Sequence, residues 1–234
     1  MYILGVINSR RLGKSLGIDI TGIDRKRCNM NCIYCECGHG EVVSEKNHYA
    51  DIDEAIKELK LHLDQDVDVI TFSGLGEPTL NIDLGYCIDR IKGITDIPVC
   101  VLTNSGLLED IDTFNALLKA DIVIPSVDAV FEDEFQRINN PHASLNLETI
   151  LESVRRFSDE FEGELYVEIF LIKGVNDSLK HLDALKDYLS TLKYDMLQLN
   201  TVDRTPAEDI SLYSDAEKKE LLKYFSSFKN VRIY

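Results

Sequence analysis

The chain has 234 residues, of which 44% are hydrophobic, so it can bury the core of one large domain. Its net charge of -16 comes from 25 basic and 41 acidic residues and disfavours unspecific binding to nucleic-acid phosphates. The sequence has no signal-like start and no run near the roughly 18 apolar residues of a membrane span. We therefore expect a cytoplasmic protein without a membrane partner.

Short apolar runs alternate with amphipathic patterns along the whole chain. The predicted strands are 17–23, 67–72, 98–103, 121–127, 165–172 and 195–202. The predicted helices are 51–63, 81–94, 112–120, 145–157 and 178–192, followed by a C-terminal helix over 214–228. Ser214 and Glu217 form a capping-box pattern at the start of that last helix. The alternation predicts βα units in a parallel α/β sheet, within a single domain over 1–234 whose core is 17–204.

The stretch CNMNCIYCECG, from residue 28, contains four of the six cysteines. Cysteines this close in sequence indicate a reducing compartment and a metal site rather than disulfides. Cys28, Cys32 and Cys35 can hold one metal centre from a single loop. The spacing alone leaves two interpretations, an iron–sulfur cluster or a zinc ion that takes Cys37 or His39 as its fourth ligand. Cys87 and Cys100 lie in apolar patterns, so we predict that they are buried.

The stretch SGLGEPTL follows the second predicted strand. Gly74 and Gly76 allow the backbone to approach a ligand closely, and its carbonyl groups can accept hydrogen bonds from an ammonium group. The alternative is an ordinary turn between a strand and a helix.

Taken together, these motifs resemble the radical S-adenosylmethionine (SAM) superfamily, whose signature CxxxCxxC includes an aromatic residue such as Tyr34. The stretches SRRLGKSLGIDI, LTNSGLL, PSVDAVFEDEFQRINNPH, EIFLIKGVND and LQLNTVDRTPAE are similar to a subfamily that includes the wyosine-synthesis tRNA enzymes. The resemblance implies a partial (β/α)6 TIM-like barrel with a [4Fe-4S] cluster and SAM as cofactors. It also implies a reductant such as flavodoxin or ferredoxin as a partner.

The resemblance assigns roles to individual residues. Cys28, Cys32 and Cys35 are the expected cluster ligands, and Cys37 is expected not to bind iron because SAM occupies the fourth iron. The residues expected to contact SAM are Tyr34, Gly74, Gly76, Glu77, Asn104, Ser126, Asp128, Glu168, Asn200 and Val202. No catalytic side chain is expected beyond the cluster and SAM.

The expected activity is that of an oxidoreductase. It cleaves SAM reductively to a 5′-deoxyadenosyl radical, which takes hydrogen from a small molecule, a peptide or a protein. An RNA-modifying enzyme is the alternative, but the chain has no cysteine before Cys28 for a second cluster. A non-catalytic metal-binding protein is the third interpretation. Arg10, Arg11 and Lys14 are basic residues that can meet an anionic substrate or simply belong to a turn.

Overall fold

The computed structural model describes residues 1–202 and 208–234. Residues 203–207, which belong to the predicted motif LQLNTVDRTPAE and include the end of the predicted core, lie outside the described residues. The described strands form one sheet in which each strand pairs with its neighbour in chain order. They are β1 (Ile3–Ser9), β2 (Gly13–Ile18), β3 (Val69–Phe72), β4 (Val99–Thr103), β5 (Ile122–Pro125), β6 (Glu164–Phe170), β7 (Met196–Asn200) and β8 (Val231–Ile233).

The sheet is parallel from β2 to β8, and only β1 runs antiparallel, as a hairpin with β2. The strands β2 to β7 correspond to the six predicted strands, so the α/β class and the partial barrel are confirmed. Because parallel strands all end at the same edge of the sheet, the loops after β2 to β6 and the described residues directly after β7 lie together there. The predicted site residues are concentrated at this edge.

The described helices follow the strands as connections. They are α1 (Ile52–Lys60), α2 (Leu84–Lys92), α3 (Ile111–Leu117), α4 (Glu132–Asn139), α5 (Leu147–Glu160), α6 (Leu179–Leu189) and α7 (Asp215–Tyr224). Ser214 and Glu217 form the predicted capping box of α7. The prediction missed α4, whose eight residues include three acidic side chains in the first turn and only two buried apolar ones, Phe135 and Ile138.

The predicted first strand is offset along the chain from the observed strand β2. Residues 17–23 were predicted, whereas β2 ends at Ile18 because the next residue turns the backbone. The Asp19 carboxylate accepts hydrogen bonds from the backbone N–H groups of Thr21 and Gly22, at 2.9 and 2.6 Å. An aspartate that bonds to nearby backbone in this way favours a turn over a strand. The edge strands β1 and β8 were not predicted, and Gly5 at φ +87° interrupts the pattern of β1.

The two faces of the sheet pack differently. The main core lies between the sheet and the helices, and Cys87 is fully buried within it. A smaller cluster of Val69, Cys100 and Ile124 lies on the opposite, concave face, where Leu12 from the β1–β2 turn packs against it. Both cysteines are therefore buried, as predicted. The β1–β2 turn therefore packs onto the concave face of the sheet through Leu12.

The helices of the described residues are too short or too polar to cross a membrane.

Candidate metal centre and cofactor site

The cysteine loop is joined to the glycine-rich stretch by backbone hydrogen bonds. The Arg27 N–H donates to the Leu75 carbonyl at 3.0 Å, and the Glu77 N–H donates to the Arg27 carbonyl at 2.8 Å. A Cβ atom at Gly76 would lie 2.1 Å from the Arg27 carbonyl oxygen, so only glycine fits there. The two motifs that the sequence predicts as one site are therefore in direct contact.

The three signature cysteines differ in how far they are buried. Cys32 is buried, at 8% exposure, and Cys28 and Cys35 are half-buried. Each sulfur accepts a hydrogen bond of 3.4 Å from a side-chain N–H group: Asn104 donates to Cys28, Asn139 to Cys32 and Lys26 to Cys35. N–H donors stabilise the thiolate form that binds metals.

The ionisation of the three thiols differs. Burial raises the pKa of Cys28 to about 12 and raises the pKa of Cys32 as well. A hydrogen bond with Cys37, with help from the Lys26 ammonium group, lowers the pKa of Cys35 to about 5. Because metal ligands must be deprotonated, metal binding at Cys28 and Cys32 releases protons.

The three cysteine thiols on one loop fit three ligands of a four-iron cluster. In the described part of the chain, no group of three or more His, Cys, Asp and Glu side chains is arranged to hold one ion. A structural zinc ion needs four ligands in a tetrahedron, whereas the cysteines of a four-iron cluster each bind a different iron. Three thiols with a hydrogen-bond donor on each sulfur suit the second case.

Cys37 differs from the other three thiols in its exposure and in its hydrogen bonds. It is exposed, and its thiol donates to the Gly74 carbonyl at 3.4 Å. Its hydrogen bond with Cys35 raises the pKa of Cys37. The expectation that Cys37 is not an iron ligand stays a prediction. His39, the other alternative ligand, lies 3.7 Å from the Glu208 carboxylate.

Tyr34 and Asp128 connect the cysteine loop to the strand ends. The Tyr34 hydroxyl donates to Asp128 at 2.6 Å, and the Tyr34 ring stacks on Phe170 at the end of β6. Asp128 also accepts from Asn139 at 2.8 Å and from the Phe170 N–H at 2.9 Å. Burial raises the pKa of Asp128 to about 6. Both carboxylate oxygens of Asp128 are thus already used within the protein.

Glu77 is likewise bonded within the protein. It is buried at 3% exposure and accepts hydrogen bonds from the Thr79 and Thr103 hydroxyls, each at 2.7 Å, and from the Asn104 N–H at 2.8 Å. Burial raises the pKa of Glu77. These bonds hold the glycine-rich stretch against the end of β4, and the expected contact of Glu77 with SAM stays a prediction.

Gly74 accommodates a second buried carboxylate. It has φ +136°, and a Cβ atom there would lie 2.2 Å from an Asp19 carboxylate oxygen. Asp19 accepts from the Leu75 N–H at 2.8 Å and, as described above, from the turn after β2. The close approach of backbone and carboxylate explains the need for glycine at this position.

Glu168 is the centre of a polar network inside the barrel. It accepts hydrogen bonds from Arg11, from Ser126 at 3.1 Å and from Asn200 at 2.7 Å. This explains how a carboxylate is tolerated within an apolar strand. Three residues predicted to contact SAM, namely Ser126, Glu168 and Asn200, are therefore brought together. Lys14 lies outside this network and pairs with Asp66 at the surface.

A cavity of about 400 Å³ lies above this network. It is bounded by the β1–β2 turn with Arg10 and Arg11, by Gly74 next to the cysteine loop, and by Phe170 and Asn200 at the ends of β6 and β7. This volume lies within the range of small-molecule sites. Val202, also predicted to contact SAM, follows β7 and is buried at 8% exposure. A larger groove of about 940 Å³ beside α5 includes none of the predicted site residues.

Three residues of this site were not predicted from the sequence. Lys26 and Asn139 donate to cysteine sulfurs, and Asp19 shapes the glycine-rich stretch. Lys26 lies two residues before the first cysteine, so its position in the sequence was an available signal. Asn139, at the end of a helix that was not predicted, had no such signal.

The comparison with protein families agrees with this geometry. The family model described as "Radical SAM superfamily" matches residues 25–185, which is more than half of the chain. The chain belongs to the radical SAM superfamily. Membership of this superfamily implies SAM and a [4Fe-4S] cluster as cofactors.

Several curated proteins are similar to this radical SAM chain. A protein of Brachyspira hyodysenteriae named GTPase Obg is 41% identical over 99% of the chain, which spans 34% of that protein. The UPF0026 protein of Synechocystis is 37% identical over 85% of this chain, and the chain spans 74% of that protein. The chain therefore belongs with the UPF0026 proteins. A GTP 3′,8-cyclase of Clostridium botulinum is 28% identical over 81% of the chain, which spans 57% of the cyclase.

The GTPase name of the first relative does not describe this site. Gly13, Lys14 and Ser15 open the strand β2, and Ser15 is bonded to Thr71 at 2.7 Å. A phosphate-binding P-loop instead lies between a strand and a helix. The stretch GKS is therefore part of the sheet.

Solved structures of radical SAM proteins have the same fold. SuiB of Streptococcus suis, bound to its precursor peptide SuiA, has a TM-score of 0.72 at 16% identity over 94% of this chain and 48% of SuiB. A radical SAM methyltransferase from Sphaerobacter thermophilus has a TM-score of 0.68 at 16% identity, over 98% of this chain and 68% of its own. At these identities the likeness shows the fold alone.

Proposed function

We propose that this radical SAM enzyme holds one [4Fe-4S] cluster on Cys28, Cys32 and Cys35, and binds SAM in the cavity beside it. The observation that supports this most directly is that each of the three sulfurs accepts a side-chain N–H hydrogen bond, whereas the Cys37 thiol is itself a donor, to the Gly74 carbonyl. When bound and reduced, the cluster supplies one electron that cleaves SAM to methionine and a 5′-deoxyadenosyl radical, which takes hydrogen from the substrate.

The protein's own residues orient the cofactors and exclude water. The carbonyl groups of the Gly74–Gly76 stretch are proposed to accept from the amino group of SAM, and Asp19 and Glu77 hold that stretch in place. Tyr34 is proposed to pack beside the adenine. Asn200 lines the cavity and is bonded to Glu168, which in turn is bonded to Ser126. These three residues, with Asn104, Asp128 and Val202, are proposed to contact SAM.

The proposed substrate is a small molecule, a peptide or a protein rather than RNA. The chain has a net charge of -16, which disfavours binding to nucleic-acid phosphates. The similarity of the sequence motifs to wyosine-synthesis tRNA enzymes stays a prediction. We also propose that residues 1–234 act as one domain, with flavodoxin or ferredoxin as the class of electron donor.

The test is anaerobic reconstitution with iron and sulfide, followed by reduction in the presence of SAM. We expect about four irons and four sulfides per chain, and formation of 5′-deoxyadenosine. Cys28→Ala, Cys32→Ala and Cys35→Ala should each lose the cluster, whereas the matched variant Cys37→Ser should keep its iron and its cleavage of SAM. Stoichiometric zinc without sulfide would contradict the cluster, and loss of iron in Cys37→Ser would show a wrong ligand assignment.

A further inference from the structure

The three hydrogen bonds to the cysteine sulfurs differ in charge. Asn104 and Asn139 donate to Cys28 and Cys32 through neutral amide groups. Lys26 donates to Cys35 through an ammonium group, at the same distance of 3.4 Å. One side of the cysteine loop therefore faces a full positive charge, whereas the other two sulfurs face only dipoles.

The Lys26 ammonium group is held in place by the loop itself. Besides the Cys35 sulfur, it donates to the Asn31 side-chain oxygen at 3.2 Å and to the Gly38 carbonyl. An ammonium group has three N–H donors, and these three acceptors satisfy all of them. The Lys26 side chain also packs against Gly40, where a Cβ atom would lie 3.2 Å from it. Lys26 is half-buried and fixed by these contacts.

The two amide donors are also fully used. The Asn139 amide group donates to Asp128 at 2.8 Å as well as to Cys32, and Asn139 is 5% exposed. The Asn104 amide group donates to Asn29 at 2.6 Å as well as to Cys28. Neither amide can turn towards another partner without losing a second bond. The direction of all three donors is therefore set before any metal binds.

From this arrangement we propose that Lys26 sets the reduction potential of the cluster, with Asn104 and Asn139 as neutral supporting donors. The inference rests on the proposed function, because it requires the cluster on the three cysteines. Reduction adds one electron from the external reductant and so one negative charge. A fixed cation beside a ligand sulfur stabilises that charge more than neutral donors do, because its attraction is that of a full charge. Charge and hydrogen bonds to sulfur are known determinants of cluster potentials. Lys26 is thus a positioning residue that makes the reduced state accessible.

The decisive experiment compares Lys26→Arg with Lys26→Gln. Both variants keep N–H donors at this position, but only arginine keeps the charge. Each protein is reconstituted anaerobically, its iron and sulfide are measured, and its cluster is titrated with redox dyes while the reduced form is followed by electron paramagnetic resonance. We expect the ratio of reduced to oxidised cluster at one fixed potential to be about tenfold lower in Lys26→Gln, which for one electron equals about 59 mV. Lys26→Arg should stay within about twofold of the unmodified protein.

Lys57→Gln is the matched control, since Lys57 pairs with Glu54 on the exposed side of α1 and the substitution removes the same charge. It should leave the ratio unchanged. Equal ratios in Lys26→Gln and Lys26→Arg, with a full complement of iron, would overturn this inference and leave the proposed function intact. If the unmodified protein binds no iron and sulfide, the proposed function fails and this inference fails with it. If Lys26→Gln loses its iron but Lys26→Arg does not, the charge is needed for assembly, and the role as a regulator of potential is rejected.

Discussion

The ring of Tyr34 lies parallel to the ring of Phe170, with 3.9 Å between their centroids and 5° between their planes. Tyr34 belongs to the cysteine loop, and Phe170 ends strand β6 on the far side of the barrel mouth. The stack therefore attaches the loop to a rigid strand. Because Tyr34 also donates to Asp128, both its ring and its hydroxyl are fixed.

The first prediction concerns this stack. Phe170→Leu keeps apolar bulk but removes the aromatic partner, so the free energy of unfolding should fall by about 1 kcal/mol. A double-mutant cycle with Tyr34→Leu should give a coupling energy of about 1 kcal/mol in urea unfolding. A coupling energy indistinguishable from zero would show that the two rings are neighbours without mutual stabilisation.

The second prediction concerns Gly76. The Cβ atom of Gly76→Ala would meet the Arg27 carbonyl oxygen at 2.1 Å, and backbone cannot move aside as a flexible side chain can. We expect a loss of about 1–3 kcal/mol in the free energy of unfolding, with lower iron content after reconstitution. Gly93→Ala is the control, because its nearest contact is an ordinary 3.4 Å and its effect should stay within about 0.5 kcal/mol. Equal stability of the two variants would contradict the close packing of the loop and the glycine-rich stretch.

The third prediction concerns stability in mild acid. His181 on α6 is fully buried and bonded to Glu134, and burial lowers the pKa of its imidazole. The unfolded chain binds a proton at an ordinary histidine near pH 6.5, and the folded chain resists it. Below about pH 6.5 the unfolded state therefore binds more protons, and the histidine contributes a loss of stability as pH falls.

His181→Gln removes this titration and keeps an amide that can bond to Glu134. The difference in unfolding free energy between the native protein and this variant should change between pH 7 and pH 5. Its slope should not exceed about 1.4 kcal/mol per pH unit, the value for one proton. Urea unfolding at several pH values measures the slope. Parallel pH profiles for the two proteins would show that His181 does not titrate differently on folding.

The fourth prediction concerns RNA. Arg10, Arg11 and Lys14 form the N-terminal basic cluster. Arg11 pairs with Glu168 inside the barrel and Lys14 pairs with Asp66, so carboxylates already neutralise two of these three positive charges. Because the chain has a net charge of -16, we expect tRNA to bind with a Kd above about 1 µM near physiological salt. Filter binding across a salt series measures this. Tight binding that is lost when Arg10, Arg11 and Lys14 are replaced by alanine would support the RNA-modifying alternative.

A charge-matched control separates a specific effect from that of net charge. Replacing Lys57, Lys60 and Lys119, which lie outside the barrel mouth, removes three positive charges elsewhere. If both triple variants weaken RNA binding equally, the basic cluster is not a binding site.

Much of this protein is determined by short stretches of its sequence. Ser214 and Glu217 specify the start of α7 because a capping box requires only residues within one helical turn. The signature cysteines and the glycine-rich stretch are equally local, since each sits in one loop after one strand. The alternation of apolar strands with amphipathic helices predicts the parallel sheet, because adjacent parallel strands need a crossover connection, which is usually a helix.

The tertiary structure alone decided which distant side chains meet. Asn139 bonds to Cys32 across 107 positions, and Arg11 bonds to Glu168 across 157 positions. The period of a strand tells which face a side chain occupies, but its partner depends on how the sheet curls and where the β1–β2 turn packs. The hydrogen-bond partners of Glu77 and Asp128 were likewise not predictable from the sequence. The sequence predicts polar groups at strand ends, but only the folded chain shows that both carboxylates accept buried hydrogen bonds within the protein.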